Sequence, residues 1–188
     1  MGFDRARQDL IEQANIDASH KILDLGCGTG TLAVQLKQLY PAAQVVGLDP
    51  DPKALRRAKA KSQRAGVTVA LDQGFADELP YETGSFDRVF SSFMFHHLEQ
   101  REREKALKEI LRVLGAGGSF HLVDFTHDEH GSHGFWERLV GSHANMKDNS
   151  DERIIEQMRR VGFTNAEKIK AGKMLFGLLH PAFYRAGI

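Results

Sequence analysis

Two apolar patterns take turns along the chain. Short, nearly continuous runs at 21–25, 44–48, 67–71, 88–92 and 119–124 are bounded by glycine, proline or acidic residues and read as strands. Between them apolar residues return at helical spacing. Leu10, Ile11 and Ala14 do so within 4–15, Leu32, Leu36 and Leu39 within 31–39, and Leu55, Ala58, Ser62 and Ala65 within 52–65. Leu107, Ile110, Leu111 and Leu114 repeat the pattern within 105–114. A further helix is predicted over 151–161, stopping at Gly162, and then two strands near 164–170 and 173–180 that Ala171-Gly172 separates. Strands alternating with helices predict a parallel sheet covered on both faces through right-handed crossovers. The last two strands have no helix between them, so they should pair as an antiparallel hairpin. The expected architecture is a doubly wound α/β fold with a seven-stranded, mostly parallel sheet, in a single domain over 1–188.

Composition and charge narrow this. A length of 188 residues suffices for a buried core. The 25 basic and 25 acidic residues balance, so no global field recruits nucleic acid or an anionic membrane. The helix at 52–65 does carry Lys53, Arg56, Arg57, Lys59, Lys61 and Arg64. No aromatic platform accompanies them, and a solvated helix face is the simpler reading. No apolar run reaches the ~20 residues that a membrane helix needs, and the opening Met1–Arg7 stretch lacks the apolar follow-on of a signal peptide. Cys27 is the single cysteine, which excludes an internal disulfide and a multi-cysteine metal site and fits a reducing compartment. A soluble, cytoplasmic protein without nucleic-acid or membrane partners is expected.

The candidate chemistry gathers around Ile22-Leu23-Asp24-Leu25-Gly26-Cys27-Gly28-Thr29-Gly30-Thr31. An apolar run reaches an acidic residue, three glycines alternate with small residues, and a helix begins at once. Glycine allows close backbone approach, and a helix start offers unpaired N–H groups at a positive dipole end. A nucleotide-like or anionic ligand is expected here. The spacing is G-x-G-x-G, whereas a dehydrogenase loop reads G-x-G-x-x-G. Nineteen residues beyond Gly30, Asp49 ends the second strand, placed to accept hydrogen bonds from both hydroxyls of a ribose. Asp51 can cap the helix after it, with Pro52 in its first turn.

The glycine loop resembles the first motif of the class I S-adenosylmethionine-dependent methyltransferases. Three later stretches extend the resemblance in the right order over 21–125. Gln73-Gly74-Phe75-Ala76-Asp77-Glu78-Leu79-Pro80-Tyr81 is similar to the family's adenine segment, with Phe75 where an aspartate usually stands. Ser85-Phe86-Asp87-Arg88-Val89-Phe90-Ser91-Ser92-Phe93-Met94-Phe95-His96-His97-Leu98 matches the fourth-strand motif of the small-molecule enzymes, the ubiquinone/menaquinone-biosynthesis type included. Arg112-Val113-Leu114-Gly115-Ala116-Gly117-Gly118 resembles their R-V-L-K-P-G-G turn.

The resemblance implies methyl transfer from S-adenosylmethionine to a small-molecule acceptor, leaving S-adenosylhomocysteine. It implies that Asp24, Gly26, Cys27, Gly28 and Gly30 meet the amino-acid end of the cofactor. Asp49 and Pro50 would meet its ribose, Phe75 and Ala76 its adenine, and Ser91, Ser92 and Phe93 its sulfur end. Asp77 is a substitute partner for the adenine amine. His96 and His97, just past the fourth strand, are candidates for a catalytic base, since histidine exchanges protons near neutral pH. Two other functions fit less well: a nicotinamide-dependent oxidoreductase and a non-catalytic S-adenosylmethionine-binding regulatory module.

Two segments remain. In the resembled family the N-terminal region, here 1–20, often caps the active site, and packing on the sheet edge is the alternative. The stretch 126–149 is rich in polar residues, with His127, His130, His133 and His143, and a possible helix around Phe135–Val140. Gly131 and Gly134 interrupt any helical face, and no tight metal signature appears. The expectation is no metal, and an active-site lid with Phe135 and Trp136 as apolar wall.

Overall fold

The computed structural model describes residues 2–125, 151–174 and 179–188. At its centre is one seven-stranded sheet of order β3-β2-β1-β4-β5-β7-β6. Strands β1 (Lys21–Leu25), β2 (Gln44–Asp49), β3 (Ala70–Gln73), β4 (Phe86–Ser92) and β5 (Leu114–Phe125) run parallel. Strand β7 (Pro181–Gly187) lies antiparallel between β5 and β6 (Thr164–Ala171). The doubly wound sheet and its closing hairpin are both as the sequence pattern predicts.

Each face of the sheet has its own core. Helices α1 (Phe3–Glu12) and α2 (Thr31–Leu39) bury Leu10, Leu32 and Leu36 against Ile22, Phe90 and Phe183. Helices α4 (Gln100–Val113) and α5 (Asp151–Val161) bury Leu107, Ile110 and Met158 against Leu23, Phe86 and Phe120 on the other face. Helix α3 (Pro52–Arg64) packs against β2, β3 and α2. Strands covered on both sides carry apolar residues on both, so neighbours such as Ile22 and Leu23 are equally inaccessible. No helix among the described residues is long and apolar enough to cross a membrane.

The boundaries depart from the pattern at four places. The third strand starts at Ala70 rather than Val67, because the end of α3 claims the preceding residues. Gly66 adopts φ +67°, its N–H bonds to Gln63 O, and Val67 N–H bonds to Ser62 O, which is the hydrogen-bond pair of a Schellman cap. Helix α4 begins at Gln100 rather than 105, since the Glu102 side chain accepts the Glu99 N–H at 2.8 Å and satisfies its open end. Strand β5 begins at Leu114, paired with Phe86, and an irregularity between Phe86 and Arg88 absorbs the glycines expected to form a turn.

The fourth departure is the last strand, which is Pro181–Gly187 and not 173–180. Gly172 N–H bonds to Pro181 O, and Met174 and Leu179 pair through an isolated bridge, so 172–174 and 179–180 lie outside the strand. The true strand is buried from Pro181 through Tyr184 because it sits inside the sheet, and it therefore lacks the alternation that marks a half-exposed strand. The expected lid, with Phe135, Trp136 and the histidines from His127 to His143, lies outside the described residues.

Candidate active site

Aspartates mark the carboxyl ends of three strands: Asp24 on β1, Asp49 on β2 and Asp124 on β5. This is the edge at which ligands bind in open α/β sheets. The glycine loop is strapped across it, with the N–H groups of Gly26 and Cys27 both donating to Leu48 O, at 2.8 and 3.0 Å. Two of its glycines do different work. Gly30 caps α2 at φ +73°, and a Cβ there would lie 2.7 Å from the Ala58 Cβ, so glycine lets α3 approach the loop. Gly28, at φ +53°, faces open space, with nothing within 4 Å of where its Cβ would stand. Its N–H donates to Asp49 Oδ2 at 2.8 Å. The Cys27 side chain turns toward Gly47 of β2, and burial pushes its thiol well above the ordinary range. It contributes backbone to the loop, not a nucleophile.

Asp24 is fully buried, yet only Oδ2 is satisfied, by the Ala33 N–H at 3.0 Å. Oδ1 has no partner among the described residues. Burial, helped by the charge of Asp49, raises its pKa to about 7, against the pull of Ala33 and of Arg7. Arg7 comes from α1, and its guanidinium pairs with Asp4 through Nη2 at 2.6 Å, while its buried Nε has no partner among the described residues. Its charge is also felt by Lys61, whose Nζ donates to the hydroxyls of Thr29 and Thr31. A buried carboxylate oxygen of Asp24 and a buried guanidinium nitrogen of Arg7 thus each lack a partner among the described residues, and the charge of Arg7 is felt by Asp24. That set fits a zwitterionic amino-acid tail, with an ammonium for Asp24 and a carboxylate for Arg7.

The remaining predicted positions surround these. Asp49 accepts from Gly28 N–H through Oδ2 and from Asp51 N–H through Oδ1, and each oxygen keeps capacity for a further donor. Pro50 lies in the turn after β2, its carbonyl accepting from Gln73 Nε2 at 3.1 Å. Phe75 is 66% exposed next to the half-buried Ala76, an apolar ring facing solvent beside the carboxyl end of β3. Asp77 pairs with Lys105 at 3.6 Å. The loop is held from behind: Arg112 donates to the carbonyls of Leu79 and Tyr81, and Glu109 accepts the Leu79 N–H. This explains an arginine that the sequence motif contained without a stated role.

Beyond β4, Ser91 is buried and its Oγ lacks a partner among the described residues. Ser92 follows, half-buried, and Phe93 takes φ +56°, its N–H held by Val123 O at 2.8 Å. The Phe93 ring meets Phe3 of α1 and Phe125 of β5, with centroids 5.1 and 4.8 Å away. The N-terminal helix thus touches this aromatic cluster through Phe3, while the charge of its Arg7 is felt by Asp24 and Lys61.

His96 and His97 follow in a single turn of 3-10 helix (Phe95–His97). His96 is buried. Its Nδ1 lies 2.6 Å from Asp124 Oδ1, and Asp124 Oδ2 accepts the His96 backbone N–H at 2.9 Å. A carboxylate at Nδ1 assigns that nitrogen the proton and leaves Nε2 as the basic one. The His97 ring lies against His96, tilted by 45° with 3.9 Å between centroids, and burial together with that neighbour lowers its pKa. The sequence pattern does not bring Arg7 or Lys61 to the site, and it brings Asp124 to the strand-end cleft without pairing it to His96. Asp124 was signalled by its place at a strand end, as Asp24 and Asp49 are. Among the described residues no group of three His, Cys, Asp or Glu could hold a metal ion.

The sequence profile of a methyltransferase domain matches residues 22–118. Demethylmenaquinone methyltransferase of Thermus thermophilus is 37% identical over 135 residues, covering 72% of this chain and 60% of that enzyme. The chain thus spans less than two thirds of the length of this curated relative. Among solved structures, YcgJ from Bacillus subtilis superposes with a TM-score of 0.79 at 20% identity, over 98% of both chains. Phosphoethanolamine N-methyltransferase 2 of Haemonchus contortus, solved in complex with S-adenosyl-L-methionine, gives 0.80 at 20% identity over 97% of this chain and 52% of that one. At such identities these two share the fold.

Proposed function

The chain belongs to the methyltransferase domain family, and from that premise we propose that it moves a methyl group from S-adenosylmethionine to a small-molecule acceptor. One observation carries the choice of cofactor: Asp24 Oδ1 and Arg7 Nε, from an acid and a base that feel each other's charge, are both buried and without partners among the described residues. A pyrophosphate would suit the arginine and be repelled by the aspartate; an amino-acid tail suits both. When bound, the sulfonium would supply an electrophilic methyl carbon.

The chain's own residues bind, dry and deprotonate. Asp24, Arg7 and the loop Gly26–Gly30 hold the amino-acid end, Asp49 with Pro50 the ribose, and Phe75 with Ala76 the adenine. Ser91, Ser92 and Phe93 line the sulfur end. Phe3, Phe93 and Phe125 exclude water from a transition state that disperses positive charge. His96 Nε2 takes the acceptor's proton, and Asp124 acts as the positioning residue that fixes the ring through Nδ1. His97, its pKa lowered, stays neutral against it. The phenylalanine cluster beside His96, with ring centroids of His96 and Phe125 5.5 Å apart, favours an apolar, ring-bearing acceptor. The name of the Thermus relative points the same way. A cytoplasmic setting fits the lone, buried thiol of Cys27.

The test is calorimetry followed by turnover. S-adenosylhomocysteine should bind and NAD should not, and Asp49→Ala should weaken the nucleoside by roughly 1–3 kcal/mol through lost charge-assisted hydrogen bonds. Methyl-labelled S-adenosylmethionine should then label a member of a phenol and hydroquinone panel. Tight binding without label in any acceptor leaves a regulatory module, and preferential NAD binding overturns the assignment.

A further inference from the structure

A cavity of about 670 Å³ opens on the α1 face of the sheet and reaches round its edge to α5, between the end of α1, the starts of β4 and β5, and the end of the closing hairpin. Neither the glycine loop nor His96 lines it. Strand register explains what does. Phe90, His121, Arg185 and Glu167 are successive partners across β4, β5, β7 and β6, so they form one row on this face. One step toward the amino edge, Arg88, Ser119 and Gly187 form the next row. In the other direction the row contains Val123 and Phe183, as a core face should. Where the cavity lies, the sheet instead presents arginines and a histidine, and Arg159 arrives from α5.

His121 is fully buried. Its ring stacks on Phe90 with centroids 5.2 Å apart, and Nε2 meets Ser119 Oγ at 2.8 Å. Its Nδ1 has no partner among the described residues. On the α1 wall, Gln13 Oε1 is likewise buried and unpartnered, although its Nε2 donates to Tyr184 O. Unpartnered buried polar atoms destabilise a fold, and both of these belong to residues that line the one cavity, which points to a ligand there. The arginines are set firmly. Arg88 donates to the carbonyls of Ala14, Asn15 and Asp87, which leaves two of a guanidinium's five N–H groups. Arg185 pairs with Glu167 at 2.6 Å, and Arg159 donates to Ala166 O at 2.9 Å. Three guanidiniums against one side-chain carboxylate give the side chains of the lining a net positive charge.

We infer that this cavity binds a small oxyanion-bearing ligand, a phosphate ester or a carboxylate, held by Arg88, Arg159 and Arg185 with His121 Nδ1–H as its buried donor. Burial and the charges of Arg88 and Arg185 push the imidazole pKa down to about 3, so the ring carries one proton throughout the neutral range. With the Ser119 hydroxyl donating to Nε2, that proton resides on Nδ1. The volume suits a ligand of nucleotide size or smaller.

The test uses the full chain at fixed ionic strength in chloride, with inorganic phosphate and citrate as separate probes. Thermal unfolding should show a saturable rise in midpoint with at least one probe, and calorimetry a matching heat. Phosphate alone assigns the phosphate-ester class, citrate alone the carboxylate class, and an equal response shows a site that reads only the oxyanion. Arg185→Gln should weaken the responding probe at least tenfold while leaving S-adenosylhomocysteine affinity unchanged. His121→Leu removes a buried unpartnered atom, so its midpoint without probe should equal or exceed that of the parent chain, with the probe-induced rise gone. No saturable response to either probe overturns the proposal, as does a response that Arg185→Gln leaves intact. A His121→Leu midpoint below the parent's also overturns it, because Nδ1 would then be serving the fold alone.

Discussion

Asp24 and His121 stand in the same row across the sheet, with Phe90 between them as partner to both. Each is fully buried and each has one unpartnered side-chain atom. Burial drives both toward the neutral form, the acid up to about 7 and the base down to about 3. Their neighbours separate them. Around Asp24 the charge of Asp49 adds to burial, and the Ala33 N–H, with a smaller pull from Arg7, opposes it and stops the rise near the working pH. Around His121, Arg88 and Arg185 push the same way as burial and carry its titration far below that range. One group can therefore acquire charge when an ammonium arrives, and the other is a fixed neutral donor. A hydrogen bond to the charged form, which Ala33 supplies at Asp24 and nothing supplies among the causes acting on His121, decides which.

Turnover should separate the two regions most widely. His96→Asn removes the basic Nε2 and should lower kcat by ~10²–10⁴-fold with S-adenosylhomocysteine affinity unchanged. Asp124→Asn should act in the same direction and shift the pH–rate profile, since it alters the partner of Nδ1. Arg185→Gln should leave kcat alone; an equal loss there would merge the regions into one site. Binding comes next. Asp24→Ala should weaken S-adenosylhomocysteine by ~10–100-fold, the value of hydrogen bonds to a charged group, whereas His121→Leu should not change it. Only ionised Asp24 attracts an ammonium, so affinity should fall by up to about tenfold per unit as pH drops below 7, and Asp24→Asn should flatten that slope.

The sheet and the glycine-loop side of the site were legible because their signals are local. Apolar runs, a G-x-G-x-G turn and acidic strand ends all lie within a few residues of each other, and the structure returns them at one edge. What escaped the sequence depends on residues distant along the chain. Arg7 reaches the site only because α1 packs across the sheet, and no motif marks it. The Asp124–His96 pair spans 28 positions and two strands. Strand β7 escaped for another reason: enclosed between β5 and β6, it shows no alternation, so Pro181–Tyr184 reads like any apolar run. The row through His121 is legible only once register is known, because Arg185 lies far along the chain from the histidine it faces.

In the parent chain the effect is nearly hidden, because the two groups oppose each other in the pH dependence of stability. Asp24 titrates near 3.8 when unfolded and about 7 when folded, so its stabilising contribution is full below 3.8 and is lost as pH rises toward 7. His121 titrates near 6.5 when unfolded and about 3 when folded, so its contribution is full above 6.5 and is lost as pH falls toward 3. Each slope approaches ~1.4 kcal/mol per pH unit for one proton, and between about pH 4 and 6.5 they nearly cancel. Asp24→Asn should then make urea stability rise with pH across that window, and His121→Leu should make it fall. The double variant should return to the parent's slope, because the background from His97 is common to all four proteins. Slopes of the same sign in the two single variants would mean that one of the pair is not the buried, neutral group that its neighbours make it.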